Sequence, residues 1–166
     1  MVDKLKKTFN LPGTFKVIIE IPKGTMGNKY EYDEKSGEFK LDFVFENFIW
    51  PFNYGFIPGT KGGDGDTLDA IVLSSAPIKQ GTEVNCKTIG LIEMLDRGQE
   101  DHKLICVPEN DVLSKSLNDI SDISAEQKQE CEKLYDEIAR QKKKVIKIVG
   151  FGNKEKASEE IKKSLI

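Results

Sequence analysis

The sequence predicts an α+β domain that is mainly β: a small barrel of short strands with helices added toward the C-terminal side. Three observations predict it. Short alternating or wholly apolar runs fill the first two-thirds of the chain. Gly, Pro, Ser and Asn punctuate those runs at turn spacing. The last third switches to helical spacing behind capping residues. No linker, repeat or low-complexity segment divides the 166 residues, so a single domain over 1–166 is expected.

Taken in order, Phe15, Val17, Ile19 and Ile21 alternate with Lys16, Ile18 and Glu20, and Pro22 and Gly24 end this first strand. Lys29-Tyr30-Glu31-Tyr32-Asp33 alternates again, with Lys29, Glu31 and Asp33 on one face and the tyrosines on the other. Ser36-Gly37 is read as a hairpin turn and Phe39 to Phe45 as the returning strand. Ala70 to Leu73 is a short buried strand, and Val84 to Met94 and Lys103 to Val107 complete the β-rich part. Ser124 and Gln127 form a capping box before a helix whose apolar face holds Cys131, Leu134 and Ile138. Val145 to Val149 reads as one more strand. Asn153 caps a terminal helix with Ala157, Ile161 and Leu165 on one face.

Composition narrows the chemistry. Hydrophobic residues make up 38% and charged residues 32%, as in a globular, soluble chain. The net charge of −3 argues against a general nucleic-acid binder, whose affinity comes from Lys and Arg. The start, Met1 to Asn10, is polar and lysine-rich and does not read as a signal peptide, and no apolar run is long enough for a membrane helix. Cys86, Cys106 and Cys131 are scattered without a CxxC spacing, which fits reduced, buried thiols and a cytoplasmic setting. With His102 as the one histidine, a histidine-rich zinc site is excluded. A metal site here must use oxygen ligands, which suit Mg²⁺, Mn²⁺ or Ca²⁺.

The most informative stretch is Gly62-Gly63-Asp64-Gly65-Asp66-Thr67-Leu68-Asp69, with three carboxylates directly before an apolar strand. Glycines flanking Asp64 allow a tight turn that can aim the acids at one point. Carboxylates held close repel unless a cation lies between them, and a hard divalent cation answers that need. Asp and Gly also make ordinary surface turns, so the loop alone leaves that reading open. An EF-hand is excluded because Leu68 occupies a required ligand position. Thr67 is one place early for a haloacid-dehalogenase-type Asp-x-Asp-x-Thr motif. A second polar cluster runs from Asp96 to Lys103, where Asp101 and Lys103 point to one face. That cluster could equally be a polar hairpin loop. Glu20, Lys29 and Glu31 could equally be charges on the wet face of a strand.

Together these pieces resemble one family. Asp64-Gly65-Asp66-Thr67-Leu68-Asp69-Ala70 is similar to the signature of the soluble family I inorganic pyrophosphatases, with Thr67 where Pro or Glu is usual. Glu20-Ile21-Pro22, Lys29-Tyr30-Glu31, Asn53-Tyr54-Gly55 and Asp96-x4-Asp101-x-Lys103 match in the family's order. The resemblance runs from about Phe15 to Phe151. It implies a five-stranded OB-like β-barrel with flanking helices, often assembled as a hexamer. It implies Mg²⁺-dependent hydrolysis of pyrophosphate to two phosphates, with Mn²⁺ a possible substitute. By position, Asp64, Asp69 and Asp101 would bind the activating metal and Asp96 metals that arrive with substrate. Asp66 would take a proton from a metal-bound water. Glu20 and Glu31 would act at the edge of the cluster, and Lys29, Lys103, Tyr54 and Tyr135 would contact phosphate. That set suits the chemistry, because a dense anion repels a water nucleophile until cations neutralise it.

Two cations that the resemblance implies are replaced. Phe43 follows Asp42 where the family carries arginine, and Asp136 follows Tyr135 where it carries lysine. A charged hydrogen bond to phosphate is worth about 1.5–3 kcal/mol, and phenylalanine offers none. Lys61, Arg97 or one of Lys142 to Lys144 is the expected source of the missing charge. Three other readings stay open at this point: a non-catalytic relative that binds metal and a phosphorylated ligand, a hydrolase of another phosphoanhydride or a phosphonate, and a nucleic-acid-binding OB module.

Overall fold

In the computed structural model, residues 9–10 and 13–166 are described. The polar start therefore lies outside the described residues except for Phe9–Asn10, which form the short strand β1. The barrel strands are β2 (Thr14–Ile21), β5 (Asn53–Ile57), β6 (Leu68–Val72), β7 (Glu83–Asp96) and β9 (Lys103–Pro108). β2 pairs antiparallel with both β5 and β7, β5 with β6, and β9 with β7, while β6 and β9 run parallel. Because β2 has a partner on each edge, the five strands close on themselves, which removes their exposed edges. β10 (Ile146–Asn153) extends the sheet from β7, and β8 (Gln99–Glu100) turns back on β7. β3 (Met26–Asp33) and β4 (Glu38–Ile49) form a separate two-stranded hairpin. Helix α1 spans Ala125–Lys142 and helix α2 spans Lys154–Ser164. The expected five-stranded OB-like barrel with flanking helices is the fold observed.

Two apolar cores explain the alternation. Leu68, Ala70 and Val72 of β6 and Leu104 and Cys106 of β9 join Ala157 and Ile161 of α2 in one cluster. Ile71, Ile105 and Val107, on the opposite faces of the same strands, and Leu73 just past β6 join Leu134 and Ile138 of α1 and Phe45 and Trp50 near the hairpin in the other. β6 and β9 are thus covered on both faces, which is why they read as unbroken apolar runs. Ser124 accepts the Gln127 N–H, and Gln127 returns a bond to the Ser124 N–H, as the capping box predicts.

Some expectations shift. β5 was read only as a motif, although all five of its residues are buried and it is a central barrel strand. The terminal helix stops at Ser164, so Leu165 lies past its end and bridges Thr60, while Glu160 and Ser164 take buried places. Leu165 follows Ile161 at helical spacing, but the backbone leaves the helix to pair with the loop after β5. β10 starts at Ile146, with Val145 and Val149 exposed. All three cysteines are buried and unpaired, and burial pushes the Cys86 and Cys131 thiols up to about 12.

Candidate active site

Strand register delivers the first elements of the site. Asp69 on β6 lies opposite Lys103 on β9, and Phe56 beside them on β5 places Tyr54 two residues away on the same face. Lys103 is only 4% exposed, and its Nζ donates to Asp69 Oδ2 at 2.5 Å and to Asp101 Oδ1 at 3.0 Å. The Tyr54 hydroxyl donates to the same Asp69 oxygen at 2.9 Å. Burial works against the Lys103 charge, but the Asp69 and Asp101 carboxylates outweigh it and raise its pKa. Asp101 is held above the usual carboxylate range by burial, opposed by Lys103 and reinforced by Asp69 and Asp64.

Glu20 reaches the site through a backbone irregularity. The β2–β5 register shifts between Ile19 and Ile21, leaving Glu20 as the extra residue of a bulge, which re-aims its side chain. It is 5% exposed and accepts the Tyr32 N–H at 2.8 Å, so it does not sit on a wet strand face. Burial, against that N–H bond, pushes its carboxyl up to about 8. Gly55 makes the arrangement possible: a Cβ there would lie 2.1 Å from the Ile18 carbonyl oxygen. Asn53, its neighbour in the motif, is structural. It accepts from Lys23 N and Ile78 N and donates to the Val72 carbonyl and Ser74 hydroxyl.

The acidic loop is braced from within and from the chain end. Asp66 N–H donates to Asp64 Oδ1, Gly62 N–H to the Asp66 carbonyl, and Lys61 N–H to the Ser164 carbonyl. Asp64 and Asp66 both line an open pocket of about 370 Å³, with Asp66 exposed and Asp64 half-buried. Glu20, Lys29, Glu31, Tyr54, Asp69, Asp96, Asp101, Lys103 and Tyr135 line the same pocket. Every expected site residue therefore reaches one cavity. Among the described residues, however, no three Asp, Glu, His or Cys side chains close into a ready metal cage. Lysines neutralise these carboxylates, Lys103 those of Asp69 and Asp101, and Lys144 that of Asp96 at 2.6 Å.

The lining still fits a hard divalent cation. The donors around Asp64, Asp69 and Asp101 are oxygens, and no histidine or cysteine lines the pocket. Two of the carboxylates already converge on one ammonium, a cation of the chain's own. The buried Tyr135 hydroxyl has no hydrogen-bond partner among the described residues. An orphaned buried donor of that kind points to a bound group that the pocket is built to receive.

Asp96 to Lys103 is also a hairpin, as the plainer reading had it. Arg97 (φ 51°) and Gly98 (φ 84°) form the two-residue turn between Asp96 and Gln99. His102 takes no part in the pocket; its Nδ1 accepts the Met94 N–H at 3.0 Å. Asp42 is the wall residue that sequence reasoning missed as a site residue. The β3–β4 register skips it between Phe43 and Leu41, and its carboxylate meets Lys29 at 2.8 Å. No spacing signal marks such a skip. Of the replaced positions, Asp136 is exposed and off the pocket wall, whereas Phe43 packs on Phe45 beside it. Among the expected substitute cations, Arg97, Lys142 and Lys144 line the pocket; Lys61 does not.

The family described as inorganic pyrophosphatase matches residues 17–165. This chain belongs to the inorganic pyrophosphatase family. It is 39% identical over 165 residues to an inorganic pyrophosphatase of Buchnera aphidicola, covering 96% of this chain and 91% of the relative. It is 38% identical over 158 residues to an inorganic pyrophosphatase of Saccharolobus solfataricus, covering 93% and 91%. The crystal structure of the Thermus thermophilus inorganic pyrophosphatase superposes with a TM-score of 0.84 at 37% identity, covering 92% of this chain and 90% of that one.

Proposed function

We propose that this pyrophosphatase-family chain hydrolyses inorganic pyrophosphate to two orthophosphates with the help of a divalent metal, Mg²⁺ by preference and Mn²⁺ as a substitute. The observation that carries the reading is the joint convergence of Asp69, Asp101 and Tyr54 about the buried Lys103, beside the unpartnered Tyr135 hydroxyl. Relatives that bear the pyrophosphatase name along nearly the whole chain support it, and nothing favours a non-catalytic role.

Asp64, Asp69 and Asp101 would hold the activating metal, with Asp96 and Glu20 as further ligands. The metal supplies neutralising charge and a more acidic water. Asp66, an exposed residue of the pocket lining, would take a proton from the attacking water. Lys103 and the Tyr54 and Tyr135 hydroxyls are donors for phosphate oxygens that gain charge as the bridging bond breaks. Lys103, held between Asp69 and Asp101, would offer its remaining N–H to a phosphate oxygen. Lys29 and Glu31, on the hairpin wall of the pocket, would orient the substrate.

Phosphate release from pyrophosphate with Mg²⁺ tests the reading, with Asp66→Asn as the control. Turnover in the wild type, reduced about 100-fold or more in the variant, is expected. No turnover with Mg²⁺ or Mn²⁺ would overturn it. We also propose a cytoplasmic homo-oligomer, a hexamer, which light scattering would test. Among the described residues no helix is long and apolar enough to cross a membrane.

A further inference from the structure

Positive charge accumulates on one side of the pocket beyond what its acids neutralise. Asp42 Oδ2 receives both Lys29 Nζ at 2.8 Å and Lys142 Nζ at 3.4 Å. Asp96 receives Lys144 Nζ at 2.6 Å on one oxygen and Arg97 Nε at 3.0 Å on the other. Four cations thus rest on two carboxylates along one wall. Like charges gathered in this way call for an anion between them.

The end of α1 is shaped to put two of these lysines there. Lys143 takes a left-handed conformation (φ 54°), and Lys144 N–H closes on the Ala139 carbonyl at 3.1 Å. Lys142 and Lys144 are turned into the pocket as a result, and Lys143 is left exposed. Gln141 clamps this end to β4: its Oε1 accepts the Glu46 N–H at 2.8 Å, and its Nε2 donates to the Glu46 carbonyl at 2.9 Å. The clamp sets the Lys142 ammonium 5.4 Å from the centre of the Phe43 ring. That ring can hold a cation by its face while leaving N–H donors free. Burial, followed by the Lys29 ammonium, lowers the Lys142 pKa, so an added negative group would stabilise its charge.

We propose that Lys142 is a substrate-binding residue, its ammonium with Lys144 beside it gripping one phosphoryl group of pyrophosphate while the acidic wall and its metal hold the other. The inference rests on the pyrophosphatase reading above. It gives the cation missing at Phe43 a source at the far end of α1, standing on the very ring that replaced it. Gln141 is the positioning residue.

The test compares Lys142→Ala, Lys142→Arg and Lys143→Gly with the wild type, each with Mg²⁺ present. Steady-state hydrolysis gives KM and kcat, and calorimetry gives the affinity for methylenediphosphonate, which resists hydrolysis. The loss of one charge-assisted hydrogen bond predicts that Lys142→Ala raises KM and weakens diphosphonate binding roughly 10- to 100-fold. Arginine should restore most of this, and Lys143→Gly, which removes a neighbouring charge at a glycine-compatible position, should change neither. Melting temperature and Mg²⁺ affinity of the free protein should stay as in the wild type. Lys142→Ala within about twofold of wild type in both assays, or an equal effect from Lys143→Gly, would overturn the proposal. A wild type that binds diphosphonate without hydrolysing pyrophosphate would sink the hydrolase reading alone, and the binding ratio would still decide Lys142. A wild type that does neither would overturn both.

Discussion

One wall of the pocket is carried by adjacent barrel strands; the other is assembled from three segments that come together from distant parts of the chain. Asp69, Lys103 and Tyr54 stand on β6, β9 and β5, whose backbones are paired residue to residue. Lys29 and Asp42 come from the hairpin, Lys142 and Lys144 from the end of α1, and Asp96 and Arg97 from the end of β7 and the turn that follows it. Chemistry that demands fixed geometry is thus placed where the backbone fixes it. Charge that needs only to be nearby is placed where the sequence can be rearranged. The difference explains how a phenylalanine can stand at an arginine position without emptying the pocket of cations.

The comparison breaks most sharply at Lys103. Lys103→Met leaves Asp69 and Asp101 without their buried counter-charge and should cost about 3 kcal/mol in urea unfolding without metal. Added Mg²⁺ should recover part of that loss; an equal deficit with and without metal would show that the two acids do not share a cation site. Next, Gly55→Ala drives a methyl into the Ile18 carbonyl, so about 2 kcal/mol of stability should go, and turnover with it, because Tyr54 and Glu20 flank the clash. Thermal unfolding with an activity assay checks both.

Glu20 sharpens the comparison through pH. Its pKa in the folded, metal-free protein is about 8 against an ordinary 4.5, so the folded chain keeps a proton that the unfolded chain has released. Stability is therefore lost as pH rises through that window and levels off above about pH 8. Glu20→Gln should abolish this slope, so urea unfolding in a metal chelator should show the variant gaining on the wild type between about pH 5 and pH 8. Parallel curves would mean that Glu20 is ionised when buried. The smallest effect belongs to the modular wall. Gln141→Leu should raise KM several-fold with kcat nearly unchanged and cost about 1 kcal/mol of stability, since it frees one end of α1 and nothing in the barrel.

Much of this was legible in the sequence. Alternation located β2 and the hairpin, the capping box located α1, and the acidic signature with its companion motifs brought every expected side chain to one cavity. β5 escaped because a short strand buried on all sides has no period to read. Glu20 looked like an ordinary wet-face charge because a bulge is a property of two paired strands, not of one. The skipped Asp42 is hidden for the same reason. Lys142 could be suspected among several lysines but not chosen, because its place depends on where α1 ends and on a glutamine gripping β4 ninety-five residues away in the chain.

Closure of the barrel sets the order in which such a molecule can assemble. β2 must meet β7 across a wide span of chain, with Phe15 opposite Cys86, before the ring exists. Contacts so distant along the chain form late, because the entropy of drawing the ends together is lost before any pairing rewards it. Helix α1 needs only its own residues and cap to start. Its cationic end does not: Gln141 grips Glu46 and Lys142 meets Asp42 across a still longer span of chain, so both walls of the pocket wait for distant contacts and an incompletely folded chain would hold neither the anion site nor the acids in place.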